Sequence, residues 1–180
     1  MRNVKKNSFK ISPPLVIAGS FLFLIFLGTL CLKLPFATTT PISWTDALFV
    51  ATSATTVTGL SVFDPGTTLT LFGEGVLMFL IQCGGIGLMT FAVALLIVLG
   101  KRIGLQNRIY LQESFNQNSV GGIVKLVKLV LTFVLTVQIV AAIILTLHWV
   151  PKFGFQEALY LSVFHVISAF NNAGFALFPD

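Results

Sequence analysis

The sequence predicts an all-α, polytopic membrane protein built on a repeated unit: a spanning helix, a short re-entrant helix, a glycine loop and a second spanning helix. Three observations predict it. The 180 residues are 56% hydrophobic and only 9% charged, whereas an ordinary soluble domain is about 25% charged. Three apolar stretches reach the roughly 20 residues that a bilayer crossing requires. Two shorter helical stretches each run into a glycine loop, and the loops align with each other. This composition excludes a soluble enzyme, a secreted disulfide scaffold and a disordered tail. Only two cysteines are present, Cys31 and Cys83, with no Cys-x-x-Cys, so neither a metal framework nor a disulfide set is suggested.

Residues 1–13 form a basic lead-in, and the first span covers 14–34. A signal peptide competes for this region. Its apolar run would be shorter and would end on a small-x-small cleavage site. Leu34-Pro35-Phe36 is no such site. The second span covers 71–99, a connection follows over 100–122, and the third span covers 123–150. The latter two spans exceed the minimum length, so they are expected to tilt.

The charges orient these spans. Arg2, Lys5, Lys6 and Lys10 precede the first, Lys101, Arg102 and Arg108 follow the second, and Lys125 and Lys128 open the third. These are nine of the eleven basic residues; only Lys33 and Lys152 lie at the opposite ends, and of the six acids only Glu113 accompanies the basic set. The positive-inside rule puts the N-terminus and the 100–122 connection in the cytoplasm. The net charge of +5 therefore encodes topology, and no nucleic-acid partner is expected.

The same pattern forbids residues 43–62 from crossing, because a crossing would place Lys101, Arg102 and Arg108 outside. Ser43-Trp44-Thr45-Asp46 has the form of a capping box, and a short helix is expected over 43–55. Thr56-Val57-Thr58-Gly59-Leu60 follows at 56–60, where β-branched residues favour an extended backbone and glycine permits positive φ. Irregular backbone at membrane depth is tolerated only where protein or water surrounds it.

The construction recurs after the third span. A helical stretch over 155–170 leads to Asn171-Asn172-Ala173-Gly174-Phe175 at 171–175. With Gly59 set over Gly174, Phe49 falls on Phe164, Ser53 on Ser168, Ala54 on Ala169 and Phe63 on Phe178. Upstream, Asp46-Ala47-Leu48-Phe49 matches Glu157-Ala158-Leu159-Tyr160 four residues out of register, so the second short helix should carry one extra turn. The chain then reads as one pore repeat over 14–99 and an incomplete second repeat over 123–180.

Such a unit suits a cation pore. The short helix directs its carboxyl end, about half a negative charge, at the loop, and loop carbonyls can replace the hydration shell of a monovalent ion. Neither loop carries Asp or Glu, which favours carbonyl over carboxylate selection.

Residues 51–60 and 168–175 resemble the first and second filter loops of the Trk/Ktr/HKT superfamily of potassium transporters. Ile81-Gln82-Cys83-Gly84-Gly85-Ile86-Gly87-Leu88-Met89-Thr90 resembles the helix that follows the first of these loops. With no extra leading helices, the chain is most similar to the Ktr-type membrane subunit. The resemblance implies a potassium-channel-like fold with four repeats around one pore, of which this chain would hold the N-terminal portion. It implies that the backbone carbonyls of Thr56, Val57, Thr58 and Gly59, and of Asn171, Asn172, Ala173 and Gly174, bind potassium in a selectivity filter. It also implies potassium uptake across the cell membrane with sodium coupling as an option, a homodimer, and a cytoplasmic nucleotide-binding ring as regulatory partner. Arg108, Gln112 and Glu113, at helical spacing on the cytoplasmic connection, would face that ring or simply face solvent.

The remaining polar residues have plainer readings. Asp46 and Glu157 are helix-start charges that could also attract cations to the outer mouth. Gln82 and Gln138 are expected to hydrogen-bond between helices, and Gly84, Gly85 and Gly87 to allow close helix packing. The G-x-G within them lies in an apolar span with no strand before it, which argues against a nucleotide loop. His148 and His165 are read as structural or interfacial, and Cys31 and Cys83 as small apolar fillers. No cofactor is called for, since the ion is cargo. The alternatives are a membrane-embedded enzyme, for which no catalytic pair or triad is found within the spans, and a non-conducting scaffold.

Overall fold

The computed structural model describes residues 13–98 and 120–178, and every described element is helical. Helix α1, Pro13–Leu32, opens on two prolines, which suit the first turn where no amide hydrogen bond is needed. Helix α2 is Trp44–Thr55, α3 is the single turn Pro65–Thr68, and α4 is Leu71–Val98. Helix α5 is Val120–Phe153 and α6 is Phe155–Phe170. The basic residues at 2–10 and 101–108, and with them Gln112 and Glu113, lie outside the described residues.

Three helix starts and one end have a local cause. At α2 the Ser43 hydroxyl accepts from the Asp46 amide at 3.0 Å, while the Ser43 amide donates to the Asp46 carboxylate at 3.2 Å. Both halves of the capping box are therefore present, with Asp in place of the usual Glu or Gln. Helix α3, not anticipated from the sequence, is nucleated by Asp64, whose carboxylate accepts from the Gly66 amide at 3.0 Å, and by Pro65 at its first position. Helix α5 extends beyond the expected 123–150 at both ends. It runs through Pro151 and stops where Gly154 turns to φ 80°, so glycine and not proline sets the end. Helix α6 has 16 residues against 12 in α2, a difference of about one turn.

Helix α2 packs on α1 and α4, α6 packs along α5 and on α4, and α1 and α5 also touch α4. Helix α4 is thus common to both halves. The core it shares gathers Leu32, Val50, Leu77, Leu80, Ile81 and Phe164, all buried. A short antiparallel bridge joins Thr38 to Leu69 and ties the segment after α1 to that before α4, with Thr39 donating to the Thr68 carbonyl at 2.8 Å. The outward faces are apolar: Leu22, Phe23 and Phe26 on α1, and Phe133, Ile139, Ile143 and Leu147 on α5, are exposed. Faces of this kind need a non-aqueous partner. Among the described residues one helical stretch, Lys128–Phe153, is long and apolar enough to cross a membrane.

Candidate functional site

Helices α2 and α6 end in the same way. After α2, the Val57 amide donates to the Ala54 carbonyl at 3.2 Å and the Thr58 amide to the Ser53 carbonyl at 2.9 Å. After α6, the Asn172 amide donates to Ala169 at 3.0 Å and the Ala173 amide to Ser168 at 2.7 Å. Both sets are Schellman closures, which place a left-handed residue just past the helix cap. Those residues are Val57, φ 54°, and Asn172, φ 60°. Two positions later Gly59 and Gly174 take φ 84° and 73°.

This corrects one expectation. The β-branched run was expected to be extended, but Val57 is left-handed. Closing the last carbonyls of α2 outweighs the side chain's local preference, at a cost of roughly 1–2 kcal/mol. A β-branched residue in that region is an outlier, and such strain concentrates at functional sites.

The closures consume the amides of Val57, Thr58, Asn172 and Ala173. The carbonyls are left over. Among the described residues, none of the carbonyl oxygens of Thr56, Val57, Thr58 and Gly59, or of Asn171, Asn172, Ala173 and Gly174, accepts a hydrogen bond. In an apolar surrounding each such oxygen costs several kcal/mol unless something else satisfies it.

The loops lie side by side. A Cβ on Gly59 would stand 2.5 Å from the Ala173 carbonyl oxygen and 3.2 Å from the Gly174 Cα. Positive φ and close approach both therefore require glycine at position 59. Ala173 is fully buried, whereas Thr56, Thr58, Asn172 and Gly174 are exposed.

Helix α4 backs both loops. Gly84 lies against the Thr55 carbonyl at the end of α2, and Gly85 against the Asn171 side-chain carbonyl at the end of α6. One turn of α4 therefore seats two helix ends. The Asn171 side-chain amide donates to Gln82 Oε1 at 3.0 Å and to the Ile167 carbonyl at 2.9 Å. Gln82 in turn exchanges two hydrogen bonds with Gln138 of α5, at 3.1 and 2.9 Å. The Ser168 hydroxyl donates to the Phe175 carbonyl at 2.6 Å and fixes the far side of the second loop. Its counterpart Ser53 has a buried hydroxyl without a partner among the described residues. In the first loop the hydroxyls of Thr56 and Thr58 meet at 2.8 Å.

Other singled-out residues stand apart from the loops' carbonyls. Asp46 completes its capping box, while Glu157 lies in the first turn of α6, which starts at Gly154 without a side-chain cap. The Leu177 amide donates to His165 Nε2 at 3.3 Å, so the Nδ1 proton goes to the Leu161 carbonyl at 2.8 Å. His165 thereby braces the chain after the second loop, stacked on Phe178. His148 is exposed, and Cys31 and Cys83 are free thiols. A pin the sequence did not suggest joins the two halves: the Tyr160 hydroxyl of α6 donates to the buried carboxylate of Glu74 in the first turn of α4.

Residues 14–180 match the family model described as "TrkH: Cation transport protein". The chain is 52% identical over 171 residues to Ktr system potassium uptake protein B of Bacillus subtilis, covering 95% of this chain and 38% of that protein. It is 42% identical over 176 residues to the protein of the same name from Vibrio alginolyticus, covering 98% and 39%. To the potassium/sodium uptake protein NtpJ of Enterococcus hirae it is 36% identical over 178 residues, covering 98% and 40%. It thus spans about two fifths of the length of these relatives. With the family model matched from the start of the first helix through the second glycine loop, the chain belongs to the TrkH family of cation transport proteins.

Proposed function

We propose that this chain forms part of a potassium uptake protein of the cell membrane, and that its two glycine loops are two sides of the selectivity filter. One observation carries the reading. Eight carbonyl oxygens on adjacent loops, each loop at the carboxyl end of a helix, lack a hydrogen-bond donor among the described residues. Oxygen dipoles so placed can exchange for the water of a monovalent cation. The ends of α2 and α6 add partial negative charge. Inward movement is driven by the membrane potential, worth about 2.3 kcal/mol per charge per 100 mV.

In this reading the protein is multi-pass with a cytoplasmic N-terminus, works as a homodimer, and is gated by a cytoplasmic nucleotide-binding ring. It acts as a transporter and not as an enzyme. The Enterococcus relative is named for both potassium and sodium, and sodium coupling is carried with the proposal.

Rubidium uptake tests it. Cells lacking their own potassium uptake would receive the complete gene product carrying this sequence, native or Gly59→Asp, with its cytoplasmic partner, in the presence and absence of sodium. Uptake restored by the native protein and abolished by the substitution, at equal membrane abundance, is the expected result. Equal uptake from both would contradict the filter assignment.

A further inference from the structure

We infer that Gln82 is a positioning residue for the second loop: its side chain, held by Gln138, fixes Asn171 and thereby the orientation of the carbonyls from Asn171 to Gly174. The inference rests on the filter reading above.

The geometry is specific. Asn171 caps α6 and is the first residue of the second loop. Both hydrogens of its side-chain amide are used, one on the Ile167 carbonyl of its own helix and one on Gln82 Oε1. Its side-chain carbonyl rests against Gly85, one turn of α4 from Gln82. The Asn171 side chain is therefore directed away from the ion path and into α4. Gln82 Oε1 accepts twice, from Asn171 and from Gln138 Nε2, while Gln82 Nε2 donates to Gln138 Oε1. The Asn171 amide, oriented by its bond to the Ile167 carbonyl, leaves the Gln82 amide one orientation, with its oxygen toward the loop, and the paired bonds with Gln138 hold it there.

The network also spans three elements, α4, α5 and the end of α6, and Gln138 is only 7% exposed. At that depth, side chains that lose their partners find no water to replace them. Among the described residues the first loop has no such clamp. At the position equivalent to Asn171 it carries Thr56, whose hydroxyl bonds back to the Thr52 carbonyl at 2.8 Å. The two loops are thus held differently although their backbones close alike. The second loop draws side-chain support from Gln82 of a neighbouring helix as well as from Ser168 of its own, and it is at Gln82 that a distant substitution can reach the filter.

The test compares Gln82→Leu, Gln138→Leu and Asn171→Leu in the complete protein, measuring rubidium uptake against sodium competition, the KM for rubidium, the maximal rate and the membrane abundance. Gln82→Leu is expected to weaken discrimination of rubidium over sodium by roughly three- to tenfold, the range open to one intramembrane side-chain hydrogen bond. Gln138→Leu, which leaves the Gln82–Asn171 bond in place, should lose less. The pair Gln82→Leu with Asn171→Leu should lose less than the sum of the two single losses, because both remove the same contact. Gln82→Glu, which keeps the acceptor toward Asn171, should retain more discrimination than Gln82→Leu and covers the case in which the leucine variant does not reach the membrane.

A structural role alone would lower abundance or maximal rate while leaving discrimination and KM as they were. That result overturns the inference, as would additive losses in the pair. Failure of the filter reading itself looks different: the native protein would then show no selective rubidium uptake at all.

Discussion

Val57 and Asn172 hold equivalent places in two loops 115 residues apart: each is the left-handed residue that closes the helix before it, with φ 54° and 60°. Only one of them is chemically suited to the task. Asparagine tolerates this region and valine resists it. Exchange at the exposed position should show the difference. Asn172→Gly is expected to keep the thermal midpoint of the purified protein within a degree or two. Asn172→Val should lower stability by roughly 1–2 kcal/mol. A thermal melt of the detergent-solubilised protein decides it, and equal melting of the two variants would show that φ at 172 is not constrained.

Gly59 faces a harder limit, since any side chain meets the Ala173 carbonyl as well as a backbone at φ 84°. Gly59→Ala, the smallest possible change, should therefore reduce rubidium uptake roughly fivefold or more, by the roughly 1–3 kcal/mol that overpacking costs. Protein abundance in the membrane should stay measurable. Native-level uptake from Gly59→Ala would show that the loops do not approach each other as described.

The adjacent glycines of α4 should differ from each other. A Cβ at 84 strikes backbone, the Thr55 carbonyl, whereas a Cβ at 85 strikes the Asn171 side chain. Backbone cannot swing aside, so Gly84→Ala should cost more folded protein than Gly85→Ala. Gly85→Ala should instead disturb ion discrimination through Asn171. Monodisperse yield in detergent and sodium competition separate the two effects, and the reverse order in yield would contradict the seating.

The contact between Glu74 and Tyr160 can be tested without touching either loop. Tyr160→Phe leaves a buried carboxylate without its donor and should destabilise by about 1–3 kcal/mol. Glu74→Gln keeps an acceptor for the hydroxyl and should cost less. Thermal melts of the two variants are the readout, and a milder effect from Tyr160→Phe would mean that the hydroxyl does not carry the pin.

Much of this architecture is legible in local sequence. Ser43 and Asp46 mark the start of α2 because a capping box lies within four residues. The extra turn of α6 shows in the four-residue slip between the Asp46 and Glu157 motifs. Both glycine loops announce themselves through Gly59 and Gly174, where no other residue is comfortable. What could not be read there has a physical reason in each case. Val57 was expected to be extended because its side chain favours that state; the carbonyls of Ser53 and Ala54 need donors and override it. Helix α3 is one turn long, too short for periodicity to reveal. Gln82, Gln138, Gly84 and Gly85 suggested interhelical contacts in kind, yet their partners Asn171 and Thr55 lie far off along the chain. Only the packing of α2 and α6 against one turn of α4 brings them together.

The most direct test is anomalous diffraction from crystals of the complete protein soaked in thallium, a heavy stand-in for potassium. The expected result is density on the axis between the loops, in contact with the carbonyl oxygens of residues 56–59 and 171–174. Thallium bound elsewhere, with those carbonyls turned toward protein donors, would contradict the assignment.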